Sequence, residues 1–102
     1  MKSNLYVLVL LAVIGLSAQA QTIQGVDVSK LYGTIDWLQV KAGGRMFAFA
    51  RATDGMSNTD NTFQTNMVNG TNAGMAMGAY HFAQPNQGTG TAQAQHFLSV
   101  AG

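Results

Sequence analysis

The sequence predicts an α/β fold built on a parallel sheet. Three observations point there. Short apolar runs alternate with longer amphipathic ones after residue 20. The units repeat at intervals of roughly 25 to 30 residues, a spacing suited to consecutive βα units. Turn-forming stretches fall between the runs: Gly43-Gly44, Gly70 to Gly74, and the loop holding the single proline, Pro85. A strand–helix alternation of this kind closes into a parallel sheet through right-handed crossovers.

The elements follow in order. Residues 1 to 20 read as a secretory leader rather than as part of the fold. Lys2 supplies the positive start, Leu5 to Leu16 is an uncharged apolar run, and Ala18-Gln19-Ala20 is a small-x-small cleavage site. The run is short for a membrane span, which needs about 20 apolar residues. Cleavage after Ala20 is therefore expected, leaving no stable membrane anchor and a secreted or periplasmic protein; an uncleaved anchor is the alternative.

Ile23 to Val28 then reads as the first strand. Asp36 to Lys41 reads as a short helix, with Trp37 and Val40 at helical spacing, Thr34 as its cap and Gly43-Gly44 as its stop. Met46 to Ala52 is the second strand, with Phe47 and Phe49 on one face and Ala48 and Ala50 on the other. Asp54 to Asn61 is rich in turn formers and is expected to be a loop. Asp60 is placed to cap a second helix over 61–69, with Phe63 and Met67 on its buried face. Met75 to Phe82 is the third strand. Thr91 to Val100 is the third helix, with Ala94, Phe97 and Leu98 as its apolar residues.

Composition narrows the function classes. Beyond residue 20, Lys30, Lys41, Arg45 and Arg51 balance Asp27, Asp36, Asp54 and Asp60. No basic patch invites nucleic acid. There is no Cys, so an exported chain has no disulfide to draw on and relies on packing. There is no Glu. Any carboxyl chemistry within this chain falls to four Asp.

Four residues stand out as site candidates. Asp27 sits inside an apolar strand, and alternation turns it away from Val26 and Val28. A charge there is costly unless paired or functional. It either serves a ligand, caps a loop or pairs with Arg51. Asp54 closes the second strand and either serves the site or pairs with Arg51. Tyr80 offers a stacking face and a hydroxyl to a ligand. His81 is of the residue type that can act as acid or base, or it is a hydrogen-bonded structural residue. Asp36, Trp37 and His96 read as helix-dipole, core and surface residues. Asp27, Asp54 and Tyr80 all lie at or just after strand C-termini, where parallel α/β folds place their ligands.

Four segments carry a resemblance. Gly25-Val26-Asp27-Val28-Ser29, Thr34-Ile35-Asp36-Trp37, Arg51-Ala52-Thr53-Asp54-Gly55 and Gly78-Ala79-Tyr80-His81-Phe82 occur in the order and spacing of the glycoside hydrolase family 25 lysozymes. Asp60, Phe63 and Asn66 also fit that family's Asp-x-x-Phe-x-x-Asn pattern, and Gln95-His96-Phe97-Leu98 is similar to its third helix. The chain departs at Asp54, where the family usually carries Glu, and at Leu31-Tyr32-Gly33.

The resemblance implies a TIM-type (β/α)8 barrel, of which residues 21–102 form the first three βα units, an incomplete barrel with open sheet edges. It implies cleavage of the β-1,4 bond between N-acetylmuramic acid and N-acetylglucosamine in peptidoglycan glycan strands, with no metal and no cofactor. It implies that Asp27 belongs to the catalytic cluster and that Tyr80, Asp54 and His81 meet substrate. The family's acid is the Glu of an Asp-x-Glu motif ending the fourth strand, expected beyond Gly102. The 102 residues by themselves are then expected to be inactive. A secreted, non-catalytic glycan-binding or assembly module derived from the same fold is the alternative.

Overall fold

The computed structural model describes residues 22–102, so the expected leader and its cleavage site lie outside the described residues. Strand β1 (Gln24–Val28) passes through a 3-10 turn (Lys30–Tyr32) into helix α1 (Trp37–Ala42). Strand β2 (Arg45–Asp54) turns back into the two-residue strand β3 (Asn58–Thr59). Helix α2 (Phe63–Asn72), strand β4 (Ala76–Phe82) and helix α3 (Gly90–Ala101) follow.

β2 is the central strand. β1 pairs with it in parallel, from Gly25 opposite Phe47 to Val28 opposite Ala50. β4 pairs with it in parallel along the other edge, from Phe47 opposite Ala76 to Asp54 opposite Phe82. β3 runs antiparallel to Thr53 and Asp54, past the end of β1. The expected 54–61 loop is thus a hairpin, and the sheet is mixed. Gly55 makes the hairpin turn: its φ of 64° suits glycine, and its N–H donates to Phe82 O at 3.0 Å.

The two faces of β2 divide as its period-2 pattern dictates. Ala48, Ala50 and Ala52 are fully buried and let the helices approach closely. Trp37, Phe63 and Met75 fill the space around them, joined by half-buried Val40, Met67, Met77 and Phe97. Phe47 and Phe49 lie on the opposite face, edge to face at 6.0 Å, and Phe49 is 47% exposed. Two glycines make room for these rings. A Cβ on Gly25 would run into the Phe47 ring, and one on Gly78 would stand 2.7 Å from Phe49 Cε1. Each glycine is therefore a seat for an aromatic ring, not merely a flexible link.

Helix ends differ from expectation in instructive ways. α1 is capped by Asp36, whose carboxylate accepts from Gln39 N at 3.2 Å; Thr34 lies too far upstream. α2 begins at Phe63, and its buried stripe is Phe63, Asn66 and Gly70, with Met67 half-buried. On α3 the buried residue is Gln93, while Ala94 and Leu98 face outward. Gln93 is drawn inward by partners in the loop that precedes its helix: its Nε2 donates to Gln84 O and Gln87 O at 2.7 and 2.9 Å, and its Oε1 accepts from Gln84 N.

Asp60 binds the pieces together. The sequence suggests it as the cap of α2, but Thr62 is the N-cap; Asp60 lies two residues earlier and holds Thr62 in place, and its reach is wider. Oδ1 accepts from Thr62 N at 2.9 Å and from the Thr62 hydroxyl at 2.6 Å. Oδ2 accepts from Lys30 N at 2.9 Å and from Arg51 Nε at 3.0 Å. Asp60 and Arg51 are only 4% and 6% exposed. Burial by itself raises a carboxyl's pKa. Here the hydrogen bonds from Thr62, Lys30 and Arg51 outweigh it and hold Asp60 below its ordinary 3.8. With the folded value depressed, the ionised carboxylate adds stability that is fully present above 3.8 and is lost as pH falls below it.

Asp60→Asn should destabilise the fold by about 3 kcal/mol, because an amide points a donor at groups that themselves donate and leaves a buried guanidinium short of a partner. The melting temperature should fall by roughly 10 °C or more. The substitution should also flatten the loss of stability between pH 4 and pH 2.5. Melts recorded across that range check both effects, and an unchanged acid slope would refute the assignment.

Candidate functional site

The C-terminal ends of β1, β2 and β4 lie along one rim, since the three strands are parallel. Asp27 projects from β1 on the face that carries Phe47 and Phe49. It is exposed, whereas Val28 beside it is buried. Asp27, Gly25 and Val26 line a hollow of ≈ 430 Å³ with Phe47, Phe49 and Tyr32. Tyr32 ends the 3-10 turn. Ser29 starts that turn, its buried hydroxyl accepting from Leu31 N at 3.2 Å. Gly33, with φ 64°, then turns the chain away and donates to Lys30 O.

Tyr80 stands opposite Arg51 in the β2–β4 ladder. Burial pushes its phenol above the ordinary 10.0. The Arg51 guanidinium opposes that shift, while Asp27, Asp60 and Tyr32 add to it. These five side chains therefore share one electrostatic neighbourhood. A raised phenol keeps its proton throughout the neutral range, so Tyr80 can both donate and accept a hydrogen bond there. Its raised value costs stability only as pH climbs past 10.0, where the unfolded chain ionises first.

Asp54 is differently placed. Its Oδ2 lies 3.6 Å from Arg51 Nη1, and its Oδ1 accepts from Gln84 Nε2 at 2.9 Å. The expected Arg51–Asp54 pairing is present, but it is the longer of two: Asp60 holds Nε at 3.0 Å. Arg51 makes no ion pair with Asp27; among the described residues the only pairs are those with Asp54 and Asp60.

His81 is turned toward α3. A bulge in β2 between Arg51 and Thr53 changes the register there and brings Thr53 opposite His81. The Thr53 hydroxyl and His81 Nδ1 are 2.7 Å apart, and His81 Nε2 is 2.8 Å from Gln93 Oε1. Gln93 Oε1 can only accept, so Nε2 carries a proton, and the Thr53 hydroxyl, which can donate or accept, satisfies Nδ1. The ring also meets Phe97 edge-on at 6.3 Å. Both nitrogens are thus engaged, and the residue ties β4 to α3.

The structure therefore sets Asp27 on an open hollow and places Tyr80 opposite Arg51, within the electrostatic reach of Asp27. It sets Asp54 in a polar network with Arg51 and Gln84, and turns His81 toward α3. Tyr32 and Asp60 were not anticipated as parts of this rim. Tyr32 gave no signal beyond an aromatic beside a glycine, and Asp60 resembled an ordinary helix cap.

Comparisons with known proteins converge. The family Glycosyl hydrolases family 25 matches residues 26–102. The chain is 47% identical to Lysozyme M1 of Streptomyces globisporus over 83% of its own length and 29% of that protein's. It is 33% identical to the N,O-diacetylmuramidase of Chalaropsis sp, over 79% of this chain and 40% of that one. Among solved structures it superposes on the Streptomyces coelicolor lysozyme with a TM-score of 0.75 at 46% identity, covering 82% of this chain and 39% of that one. The family 25 lysozyme of Aspergillus fumigatus gives a TM-score of 0.77 at 35% identity, with 80% and 39% covered. The chain thus spans well under half the length of these relatives. Its α/β fold is theirs, and the match of residues 26–102 makes it a member of glycoside hydrolase family 25.

Proposed function

We propose that residues 21–102 are the N-terminal portion of a peptidoglycan-cleaving muramidase domain, the first three βα units of a (β/α)8 barrel, exported after cleavage behind Ala20. The observation that carries the reading is the hollow at the strand C-termini. One open carboxylate, Asp27, faces aromatic surfaces from Phe47, Phe49 and Tyr32. Aromatic faces pack against the C–H faces of a pyranose, and a carboxylate takes its hydroxyl or amide donors. The barrel reading draws on the parallel order of β1, β2 and β4 and on the uncovered Phe47–Phe49 face, which suits the inside of a closed barrel.

Glycoside hydrolysis asks for two carboxyl groups, one protonated at the leaving oxygen and one stabilising the oxocarbenium-like state. The four Asp of this chain divide sharply. Asp36 caps α1, Asp60 is buried under four donors, and Asp54 is shared between Arg51 and Gln84. Asp27 alone stands open on the rim. It can orient substrate and stabilise positive charge, but nothing in its surroundings marks it as the proton donor, and the chain holds no Glu. The same inventory suits the alternative of a glycan-binding module without catalysis. A wall-clearing assay separates the two once the remaining strands are supplied.

Three outcomes are expected. N-terminal sequencing of the exported protein should begin at Gln21; a mature form retaining Leu5 to Leu16 would contradict the leader. The 102-residue chain should not clear a suspension of purified cell walls above a buffer blank, since a missing general acid costs roughly 10²–10⁴-fold in rate. Asp27→Asn should leave the melting temperature nearly unchanged or slightly raised, because no ion pair is broken. It should weaken binding of a soluble peptidoglycan glycan fragment about tenfold, the worth of one charge-assisted hydrogen bond. Calorimetry and a ligand titration on one sample test this. A lower melting temperature with unchanged binding would assign Asp27 a structural role.

A further inference from the structure

The period of β2 sets up a competition at the rim. Phe49 and Arg51 are two residues apart and so face the same side. Asp27 is the register partner of Phe49, and Tyr80 that of Arg51. Arg51 is therefore the diagonal neighbour of Asp27, on the order of 7 Å away in backbone terms and within reach of a long side chain. Left to itself, the guanidinium has an exposed carboxylate beside it. Yet Arg51 is buried and turned to Asp60, with Asp54 as its second acid. Asp60 is well suited to win. Its carboxylate is already fixed by Lys30 N and by both donors of Thr62, so it meets Arg51 with little further ordering cost.

We propose that Asp60 is a positioning residue for the rim: by drawing the Arg51 guanidinium into a buried pair it keeps the Asp27 carboxylate free of a cationic partner and available to a ligand. The proposal rests on the reading of Asp27 as a glycan contact for its functional meaning, but not for its physical content. The groups around this corner are few. β2 contributes Arg51 and Asp54, β1 Asp27, β4 Tyr80 and His81, the 3-10 turn Lys30 and Tyr32, and the segment before α2 Asp60. α2 carries no charged residue. On α3 the titratable residue is His96, 3.0 Å from Asn58 O. Among the described residues Arg51 is the cation that forms ion pairs with these acids, and Lys30 meets Asp60 through its backbone N–H.

The test is a set of double-mutant cycles on the 102-residue chain. With Asp60 intact, the effects of Asp27→Asn and Arg51→Gln on melting temperature should add, because the two side chains do not interact. In the Asp60→Asn background, the released guanidinium should turn to Asp27. Adding Asp27→Asn should then lower the melting temperature by a further 4 °C or so, an effect absent when Asp60 is present. Additivity in both backgrounds overturns the proposal, as does coupling between Asp27 and Arg51 while Asp60 is intact. The second of these needs no Asp60 variant, so the proposal stays exposed even if Asp60→Asn does not fold.

A spectroscopic readout separates positioning from simple loosening. In chain labelled with ¹³C-tyrosine and assigned with Tyr80→Phe, Arg51→Gln should raise the ionisation midpoint of Tyr80, because the cation that opposes the rise is gone. Loosening of the rim would instead lower it toward the ordinary value, and that result would overturn the assignment. None of these measurements depends on wall clearing or glycan binding. Loss of the muramidase reading and loss of this one are therefore distinguishable.

Discussion

Four hydrogen bonds converge on one buried carboxylate, and most of the rim depends on them. Asp60 joins the turn after β1 through Lys30 N, the end of β2 through Arg51, and the start of α2 through Thr62. None of these segments is adjacent in sequence to all the others. A buried acid with fewer donors would take up a proton, and the guanidinium facing it would then be a buried charge without a counterion. With all four donors in place the charge is held, and three pieces of backbone become one surface.

The small residues matter as much as the charged ones. Ala48, Ala50 and Ala52 form a row with almost no side-chain volume, so the helices sit close to β2. Gly70 does the same on α2, where the Met77 thioether of β4 takes the space a methyl would need. On the other face, Gly25 and Gly78 flank the aromatic row and let Phe47 and Phe49 lie down across the neighbouring strands. The result is a sheet with one dry face against helices and one broad aromatic face open beside Asp27. Apolar area of that kind, left uncovered, calls for a cover or a ligand.

A second polar network organises the loop after β4. Gln93 accepts from His81 and Gln84 N and donates to two loop carbonyls, and Gln84 in turn reaches Asp54. The bulge in β2 is what allows His81 to meet Thr53, since it inserts one residue and changes which side chains face each other. Asp54, the position where the chain is one methylene shorter than its family's usual Glu, is thereby supported from both sides, by Arg51 and by Gln84. Loop and strand ends are braced against each other, which favours a preformed rim over one ordered by its ligand.

Much was legible in the residues alone. Apolar periodicity placed three strands and three helices to within a few positions, and Asp27 stood out as a charge in an apolar strand. Trp37 and the alanine row of β2 followed from spacing, and four short segments sufficed to name the family. Tertiary structure decided the rest. Gln93 carries no signal of burial on its helix, and is buried because carbonyls of the preceding loop and His81 satisfy it. The hairpin strand β3 is two residues long and forms because β4 and β1 leave that stretch of β2 unpaired on one edge. Asp60 reads as a cap, yet its second oxygen answers Arg51 and Lys30, nine and thirty residues away. Local sequence carries propensity and pattern, which act over a few residues. The pairing of charges and buried amides is settled by which chain segments the sheet brings together, and that is why Arg51 belongs to Asp60 and leaves Asp27 open.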